Sequence, residues 1–417
     1  MHYFLTTVGS AGDVFPMMGL ALALQKRGHD VTLVTSGYFR PLAEKHGIPF
    51  EQLGTPEDYQ NCIQNPDLWN PQKAFQHIFR FLQPTLRRQH ELLVTAAQAR
   101  PTVAISSCLG LGARMAQETH QVPVLTVHLQ PAVIWSRFNP PHFPGMFGPN
   151  WFKDFGYRLA EKWLINRPVL PFLNSWRQEF QLPPVKRVTD WWNSPTGVFC
   201  LFPDWFAAPQ PDWPAPLFQT DFPLWNDDSQ SPLDTEVERF LSAGDPPIVF
   251  TPGTANIHGR KFFEVALQAC RQLQRRGIFL TKYPEQIPVS LPETVRHLSY
   301  VPLDRLLYRS AAFVHHGGVG STSQGFLGGI PQVVMPLAHD QFDNGDRVRR
   351  LNAGRSVPES RFTPGNLTKA LRELLGSSDV TAICQDIRKR LQRGTGIEST
   401  ADLISRQFSG DSVPHAR

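Results

Sequence analysis

A glycine-rich segment between residues 315 and 322 has the residue types best suited to binding a charged ligand. It runs His315-His316-Gly317-Gly318-Val319-Gly320-Ser321-Thr322, directly after a predicted strand and at the start of a predicted helix. Glycines let the backbone approach a ligand closely, and a helix N-terminus presents unpaired N–H groups with a positive dipole end. The segment predicts a diphosphate site with His316 as a further hydrogen-bond donor. The alternative is a structural glycine turn with a capping serine.

A second polar segment follows the next predicted strand. The run His339-Asp340-Gln341-Phe342-Asp343-Asn344 comes after Gln332–Met335, at the carboxyl end where open α/β sheets bind ligands. Asp340 and Gln341 can hydrogen-bond adjacent hydroxyls of a sugar. Taken alone, the pair could instead cap the helix predicted over 344–351, but the two segments in this order favour a binding site.

These segments need parallel strands to position them, and the sequence predicts two series of strands and helices. The first opens with a strand over His2–Val8, a glycine turn over Gly9–Asp13, a helix over Phe15–Arg27 and a strand over Asp30–Thr35. This order is typical of a parallel sheet. A proline-rich stretch over 203–247 then precedes a second series that begins at Ile248. We therefore expect domains over 1–218 and 247–395, a linker over 219–246 and a polar tail over 396–417.

The composition limits the classes of function. The chain has 417 residues, 41% hydrophobic and 18% charged, which indicates two folded domains rather than disorder. A net charge of +5 suits an anionic ligand or membrane surface, but no long basic run indicates nucleic acid. The five cysteines lack metal-site spacing, which favours reduced thiols and a cytoplasmic location. We find no apolar run that could span a bilayer and no signal-peptide pattern.

The motifs together resemble those of a known family, the nucleotide-sugar glycosyltransferases with the GT-B fold (the UDP-glycosyltransferase family). The resemblance is carried by Tyr300-Val301-Pro302, His315 to Thr322, Asp340-Gln341 and the opening Gly9 to Pro16. It implies an α/β architecture of two Rossmann-like domains whose parallel sheets face each other across a cleft. A closer likeness, over almost the whole sequence, is to the rhamnosyltransferases of rhamnolipid synthesis. It includes Val185-Lys186-Arg187, Ser194-Pro195, Cys200 to Pro203, Trp205-Phe206, Asp212-Trp213-Pro214 and His339 to Asn344.

The resemblance implies a role for each matching residue. Asp13 stands where the family has its catalytic base, and Tyr300 where plant members stack a Trp on the base of the nucleotide. Gln324 replaces the usual ribose-binding Glu, and Thr254 matches a hydroxyl residue that contacts phosphate. The remaining donor-binding positions are His316, Gly318, Val319, Gly320, Ser321, Asp340 and Gln341.

The chain differs from the plant members at the position of the catalytic base. Their catalytic His is absent, and Ser107 stands where they have the supporting Asp. An ionised Asp13 can accept a proton without such a partner, whereas a His base needs a carboxylate to orient it. Asp13 could also serve as a helix cap, and one residue can do both.

An acceptor site is expected in the first half, because the segment after His128 is rich in aromatics. Trp135, Phe138 and Phe143 could line an apolar tunnel, with His128 as a further acceptor contact. Basic residues alternate with aromatic ones over 151–167. This pattern is typical either of a helix on an anionic membrane, at the inner face of the cytoplasmic membrane, or of a solvated face over a packed core.

The function these residues predict is an inverting, metal-independent transfer of a hexose, rhamnose or glucose. The donor is a nucleoside-diphosphate sugar, and the acceptor is a hydroxyl of a hydrophobic molecule such as a hydroxy-fatty-acid lipid. No Asp-x-Asp pair is present to hold a divalent metal, and no cofactor is expected. Alternatives are a glucosyltransferase for sterol or aromatic acceptors, a nucleotide-sugar epimerase, and a non-catalytic nucleotide-sugar binder. An NAD dehydrogenase is disfavoured because the opening turn lacks Gly-x-Gly-x-x-Gly spacing.

Overall fold

The structure, a computed structural model, describes residues 1–146, 148–227, 233–393 and 396–408. The chain forms two compact units. The first contains Met1–Pro223 together with 396–408, and the second contains the described residues from Leu224 to 393. Each unit is organised around its own parallel sheet.

The first unit has a sheet that comprises seven parallel strands within the described ranges, in the order β3-β2-β1-β4-β5-β6-β7. The central strands are rich in β-branched and aromatic residues and are almost fully buried, as expected for a parallel sheet covered on both faces. The strands are β1 His2–Thr6, β2 Asp30–Thr35, β3 Phe50–Gln52, β4 Thr102–Ser107, β5 Val124–His128, β6 Val198–Cys200 and β7 Leu217–Gln219.

Helices cover this sheet. They are α1 Ala11–Lys26, α2 Arg40–Lys45, α3 Pro56–Gln64, α4 Ala74–Ala99, α5 Leu111–His120, α6 Asn150–Ala160, α7 Arg167–Glu179 and α8 Val188–Trp191. A π-helical segment, Glu161–Asn166, joins α6 to α7. Helix α4 was not predicted, although Phe79, Leu82 and Leu86 have helical spacing and are buried.

The second unit has a sheet with six parallel strands among the described residues, in the order β10-β9-β8-β11-β12-β13. The strands are β8 Ile248–Thr251, β9 Gly277–Leu280, β10 Val295–Leu298, β11 Ala312–His315, β12 Gln332–Val334 and β13 Gly354–Ser356. The helices are α9 Thr235–Ser242, α10 Arg260–Leu273, α11 Leu303–Leu306, α12 Val319–Gly328, α13 Gln341–Arg350, α14 Pro364–Leu375 and α15 Ser378–Arg393. The second series of strands and helices that the sequence predicts is therefore present in the structure.

The last helix, α16 Gly396–Phe408, returns to the first unit, where we expected a polar tail over 396–417. The tail prediction overlooked Ala401 and Ile404, which share one helix face and are fully buried. Arg27, which follows the last residue of α1, anchors α16 through ion pairs with Asp402 at 2.8 Å and Glu398 at 2.7 Å. The remainder of the predicted tail, 409–417, lies outside the described residues.

The predicted linker over 219–246 also differs from the structure. Asp234 accepts a hydrogen bond from the N–H of Glu236 and so caps α9, whose apolar side packs Val237 and Leu241 into the core of the second unit. Proline and polar residues around this short helix obscured its apolar spacing. Part of the predicted linker, 228–232, lies outside the described residues. Within the described ranges, no helix combines the length and apolar character needed to cross a membrane.

Candidate functional site

The glycine-rich segment connects β11 to α12 as predicted. Gly318 precedes the helix, and none of the described side chains caps its N-terminus. The first N–H groups of α12, from Val319 to Ser321, therefore remain available to an anion at the positive end of the helix dipole. Gly317 has a φ of +97°, and a Cβ there would lie 2.5 Å from Val334, so only glycine fits this turn.

His316 lies against backbone on two sides. A Cβ at Gly253 or at Gly318 would come within 2.7 Å of its ring, so both glycines make room for the imidazole. Burial, and then the nearby His339, lowers the pKa of His316 to about 4. The imidazole is therefore neutral at pH 7. Its Nδ1 is buried without a hydrogen-bond partner in the described part of the chain.

Helices α12 and α13 each carry a buried amide oxygen without a hydrogen-bond partner among the described residues. Oε1 of Gln324, one turn into α12, and Oδ1 of Asn344 in α13 have no hydrogen-bond donor among the residues described. Gln324 is 6% exposed, and a buried unpaired amide oxygen is costly unless a ligand or water donates to it. Asn344 is held by bonds from its Nδ2 to the carbonyl of Gly317 at 2.9 Å and to Oδ2 of Asp340 at 2.6 Å. Sequence analysis missed Asn344 as a site residue, although it ends the polar segment.

Asp340 and Gln341 lie at the start of α13, but they are not equivalent. Oε1 of Gln341 accepts the backbone N–H groups of Leu337 and Ala338, at 2.8 and 3.1 Å. Because that amide oxygen braces the loop after β12, only Nε2 of Gln341 can serve a ligand. The carboxylate of Asp340 is anchored on one oxygen by Asn344.

Thr254 and Tyr300 follow other strands of the same sheet. Thr254 lies exposed in the loop after β8, next to Gly253. Tyr300 lies after β10, is 52% exposed, and donates its hydroxyl hydrogen to the carbonyl of Asp227 at 3.0 Å. The predicted donor residues thus all follow the carboxyl ends of parallel strands β8, β10, β11 and β12, with β8 and β12 on either side of β11.

In the first unit, Asp13 occupies the first turn of α1. Its Oδ2 accepts hydrogen bonds from the backbone N–H of Ser10 at 2.9 Å and the Ser10 hydroxyl at 3.4 Å. Burial raises the pKa of Asp13 to about 6, against the opposing effect of these hydrogen bonds. Its Oδ1 has no hydrogen-bond partner within the described ranges. Asp13 is therefore a helix cap with one carboxylate oxygen left for a ligand.

Gly9 makes this arrangement possible. Its φ is +141°, and a Cβ at this position would lie 2.1 Å from Oδ2 of Asp13. Cys108, just after β4, lies near the same carboxylate: burial raises the pKa of its thiol to about 12, and the charge of Asp13 adds to the rise.

His128 ends β5 and is 1% exposed. Its Nε2 bonds Oδ1 of Asn193 at 2.7 Å, and Asn193 in turn donates Nδ2–H to the carbonyl of Thr189. The proton of the imidazole is thus assigned to Nε2, which leaves Nδ1 as a buried acceptor with no partner among the described residues. Burial lowers the pKa of His128 to about 4, so the ring is neutral.

The predicted acceptor aromatics share one cluster only in part. Trp135 stacks on Tyr157 with ring centroids 3.6 Å apart, and Phe143 packs against Tyr157 at 6.3 Å. Phe138 is 46% exposed under the guanidinium of Arg137 and is not in this stack. Burial raises the pKa of Tyr157. The thiol of Cys108, the cysteine near Asp13, also raises it and makes the smallest contribution. Sequence analysis missed Tyr157 and Asn193 because their partners are distant in sequence.

Across the described ranges, no three His, Cys, Asp or Glu side chains are grouped to hold an ion.

Comparison with protein families matches both ends of the chain. The model of the glycosyltransferase family 28 N-terminal domain matches residues 3–134. The model of the C-terminal domain of erythromycin biosynthesis protein CIII-like proteins matches residues 280–399. The first match contains Asp13 and His128, and the second contains the β11–α12 turn and Asp340.

Curated relatives span the whole chain. An O-mycaminosyltylonolide 6-deoxyallosyltransferase of Streptomyces fradiae is 27% identical, over 100% of this chain and 99% of the relative. A sterol 3-beta-glucosyltransferase of Arabidopsis thaliana is 24% identical, over 97% of this chain and 68% of the relative. Neither name refers to rhamnolipid, so the finer likeness to those rhamnosyltransferases is not shown.

Solved structures have the same fold. The glycotransferase of kitacinnamycin superposes with a TM-score of 0.75 at 20% identity, covering 98% of this chain and 99% of that one. The spinosyn rhamnosyltransferase SpnG, complexed with thymidine diphosphate, gives a TM-score of 0.69 at 16% identity, with 97% and 100% covered.

The fold and the family matches define the class: the chain is a nucleotide-sugar glycosyltransferase with two Rossmann-like domains of the GT-B type. Its N-terminal part resembles the glycosyltransferase family 28 N-terminal domain, and its C-terminal part resembles the erythromycin CIII-like C-terminal domain.

Proposed function

We propose that this glycosyltransferase inverts the anomeric centre without a metal ion, with Asp13 as the base. The observation that supports this most is the carboxylate of Asp13, anchored by Ser10 on Oδ2, open on Oδ1 and shifted in pKa to about 6. A base with this pKa is ionised at neutral pH, yet is more basic than an ordinary Asp.

The reaction forms one bond and breaks another. The acceptor oxygen attacks the anomeric carbon, its proton passes to Oδ1 of Asp13, and the bond from that carbon to the diphosphate oxygen breaks. The departing diphosphate gains charge, which the N-terminus of α12 and a neutral N–H of His316 stabilise. Nε2 of Gln341 and the carboxylate of Asp340 bind sugar hydroxyls. Gln324 accepts a hydrogen bond from the ribose, Thr254 contacts phosphate, and Tyr300 stacks on the base.

The acceptor is a hydroxyl on a hydrophobic molecule, such as a hydroxy-fatty-acid lipid. Trp135, Phe143 and Tyr157 offer stacked aromatic surface, and Nδ1 of His128 accepts a hydrogen bond from a polar group of the acceptor. Phe138, which is exposed, contacts the acceptor from outside the stack. We place the reaction in the cytoplasm, because all five cysteines are free thiols.

The sugar transferred is rhamnose or glucose. The thymidine diphosphate bound to the spinosyn rhamnosyltransferase favours a thymidine donor, whereas the sterol 3-beta-glucosyltransferase favours glucose and a sterol acceptor. The first experiment is a thermal-shift panel with UDP, dTDP, UDP-glucose and dTDP-rhamnose. A rise in melting temperature with one base only would identify the donor.

Product analysis with the donor so identified then tests the transfer. A hydroxy-fatty-acid acceptor and a sterol are each supplied, and the anomeric configuration of the product is determined by NMR. We expect an inverted glycoside of the hydroxy-fatty acid. A retained configuration would contradict the mechanism, and a product from the sterol alone would favour the glucosyltransferase alternative.

A further inference from the structure

A row of large apolar side chains is exposed on α6 and the π-helical segment that continues it. We call this row the aromatic ridge. On an ideal helix its members fall within an arc of about 120°, so they share one face. They are Trp151, Phe152, Phe155, Leu159 and Trp163, with exposed fractions of 72%, 48%, 63%, 50% and 51%.

The opposite side of the same helix is firmly anchored. Tyr157 is buried in the stack with Trp135, and the carboxylate of Glu161 is 2% exposed. Glu161 accepts hydrogen bonds from the guanidinium of Arg187, at 2.9 Å from Nη2, and from the hydroxyl of Thr189. The ridge is therefore presented by an ordered helix, and its exposure is not that of a loose loop.

A cationic cavity adjoins the ridge at Trp163. It has a volume of about 690 Å³, and its charged lining consists of Arg158, Lys162, Arg167, Lys186, Arg187 and Glu161. Glu161 is the single acid among these and is already neutralised by Arg187. Among the described residues, Lys162, Lys186 and Arg167 form no ion pair, and Arg167 lies over the ring of Trp163 at 5.1 Å.

We propose that the aromatic ridge and this cavity form a docking surface for an anionic phospholipid bilayer. Aromatic side chains partition into the boundary between headgroups and acyl chains, and each basic residue close to an anionic surface adds to the binding. A contiguous exposed apolar patch next to unpaired cations is unusual for a surface that only contacts water. The proposal goes beyond the transferase reaction and does not depend on which acceptor is used.

The positive charge of this docking surface favours a bilayer, rather than a second copy of this chain, as its partner. The acids at this face, Asp154, Glu161 and Asp190, already pair with Arg158 and Arg187. Two copies joined through this face would therefore bring the remaining cations of one cavity toward those of the other. An anionic headgroup, by contrast, supplies the negative charge that can pair with Lys162, Lys186 and Arg167. The single acid of the cavity is unavailable because it binds Arg187.

Vesicle co-sedimentation tests the proposal on the full chain. Vesicles of phosphatidylcholine with and without phosphatidylglycerol are compared for the wild type, for Trp151→Ser with Phe155→Ser, and for Lys162→Glu with Lys186→Glu. We expect binding only with phosphatidylglycerol, and at least about a tenfold loss of bound fraction in either double variant. High salt should release the wild type.

Matched controls lie in the second unit. Lys261→Glu with Lys369→Glu makes the same change in net charge at exposed positions, and Val289→Ser removes an apolar side chain that is 97% exposed. These variants should bind vesicles as the wild type does. Each variant is checked for an unchanged melting temperature.

The proposal is overturned by a wild type that does not bind phosphatidylglycerol vesicles, or by ridge and control variants that bind equally. It is also overturned if sedimentation velocity shows a wild-type dimer that the ridge variants lose, because the ridge would then join two copies. Turnover with a water-soluble acceptor is measured in parallel. If neither the wild type nor any variant turned over this acceptor while the wild type still bound vesicles, the result would count against the proposed function alone.

Discussion

The backbone N–H of Ser10 donates a hydrogen bond of 2.9 Å to Oδ2 of Asp13, while the amide of Gly12 donates to the hydroxyl of Ser10 at 3.3 Å. This reciprocal capping fixes the carboxylate at the start of α1. Gly9 leaves space for it, since any side chain there would overlap Oδ2. The same contacts that begin the helix therefore orient the proposed base.

Replacing Asp13 by Asn tests the base. The amide oxygen can still accept the Ser10 N–H, so the helix cap is retained, but the amide cannot take a proton. We expect turnover to fall by at least about 100-fold, the usual contribution of general-base catalysis. Calorimetry with the nucleoside diphosphate should give unchanged affinity. Wild-type turnover in this variant would remove Asp13 from the mechanism.

The pH dependence of kcat/KM should follow the pKa of Asp13. Because burial raises this pKa to about 6, activity should fall about tenfold per pH unit below pH 6. Ser10→Ala removes the hydroxyl that stabilises the carboxylate, so its acidic limb should move to higher pH. An identical limb in Ser10→Ala and wild type would show that another group controls it.

The contribution of Asp13 to the stability of the fold should have a pH dependence opposite to that of activity. The folded-state pKa lies above the ordinary value of 3.8, so the contribution of Asp13 to stability is complete below about pH 4. It is lost as the pH rises through about 6, because the unfolded chain then releases the proton more readily. Asp13→Asn removes this pH-dependent loss of stability. Urea unfolding at pH 4 and pH 7 should therefore show a smaller decrease in the free energy of unfolding between the two pH values for the variant than for the wild type.

The sequence predicts the parts of the fold that depend on near neighbours. The β11–α12 turn was found because its glycines, the preceding apolar strand and the following helix are contiguous. His128 and Asn193 are 65 residues apart, and their bond could not be inferred from either segment. The return of α16 to β1, where Tyr3 donates to the carbonyl of Ile404, depends on a contact between the two ends of the chain. Such contacts depend on tertiary packing and leave little local signal.

Activity should survive removal of divalent metal ions. In the proposed mechanism the N-terminus of α12 supplies the positive potential that a metal provides in other transferases, and the neutral ring of His316 adds a hydrogen bond. The sequence contains no Asp-x-Asp pair. Initial rates are measured after incubation with excess EDTA and again after addition of Mg²⁺ or Mn²⁺. Loss in EDTA that either ion restores would show that a metal takes part.

The last prediction separates the donor site from the acceptor site. His316 and Asp340 follow strands of the second unit's sheet, whereas Phe143 and Phe138 belong to the first unit. His316→Ala removes the proposed hydrogen bond from a neutral ring to phosphate, which should cost roughly 1–3 kcal/mol of binding free energy. Asp340→Ala removes the proposed partner of the sugar and one of the two hydrogen-bond acceptors of Asn344. Both changes should weaken nucleotide-sugar binding and leave acceptor affinity little changed.

Phe138→Ala and Phe143→Ala should have the reverse effect. Phe143 lies beside the Trp135–Tyr157 stack, so its loss should remove the proposed apolar contact with the acceptor and raise the acceptor KM. The donor constant should not change. Calorimetry with the nucleotide-sugar donor on all four variants, with Asp13→Asn as the control that binds normally, decides the assignment. Unchanged affinity in both His316→Ala and Asp340→Ala would mean that the second unit does not hold the donor, because the diphosphate and the sugar would then have lost a proposed contact without any effect on binding.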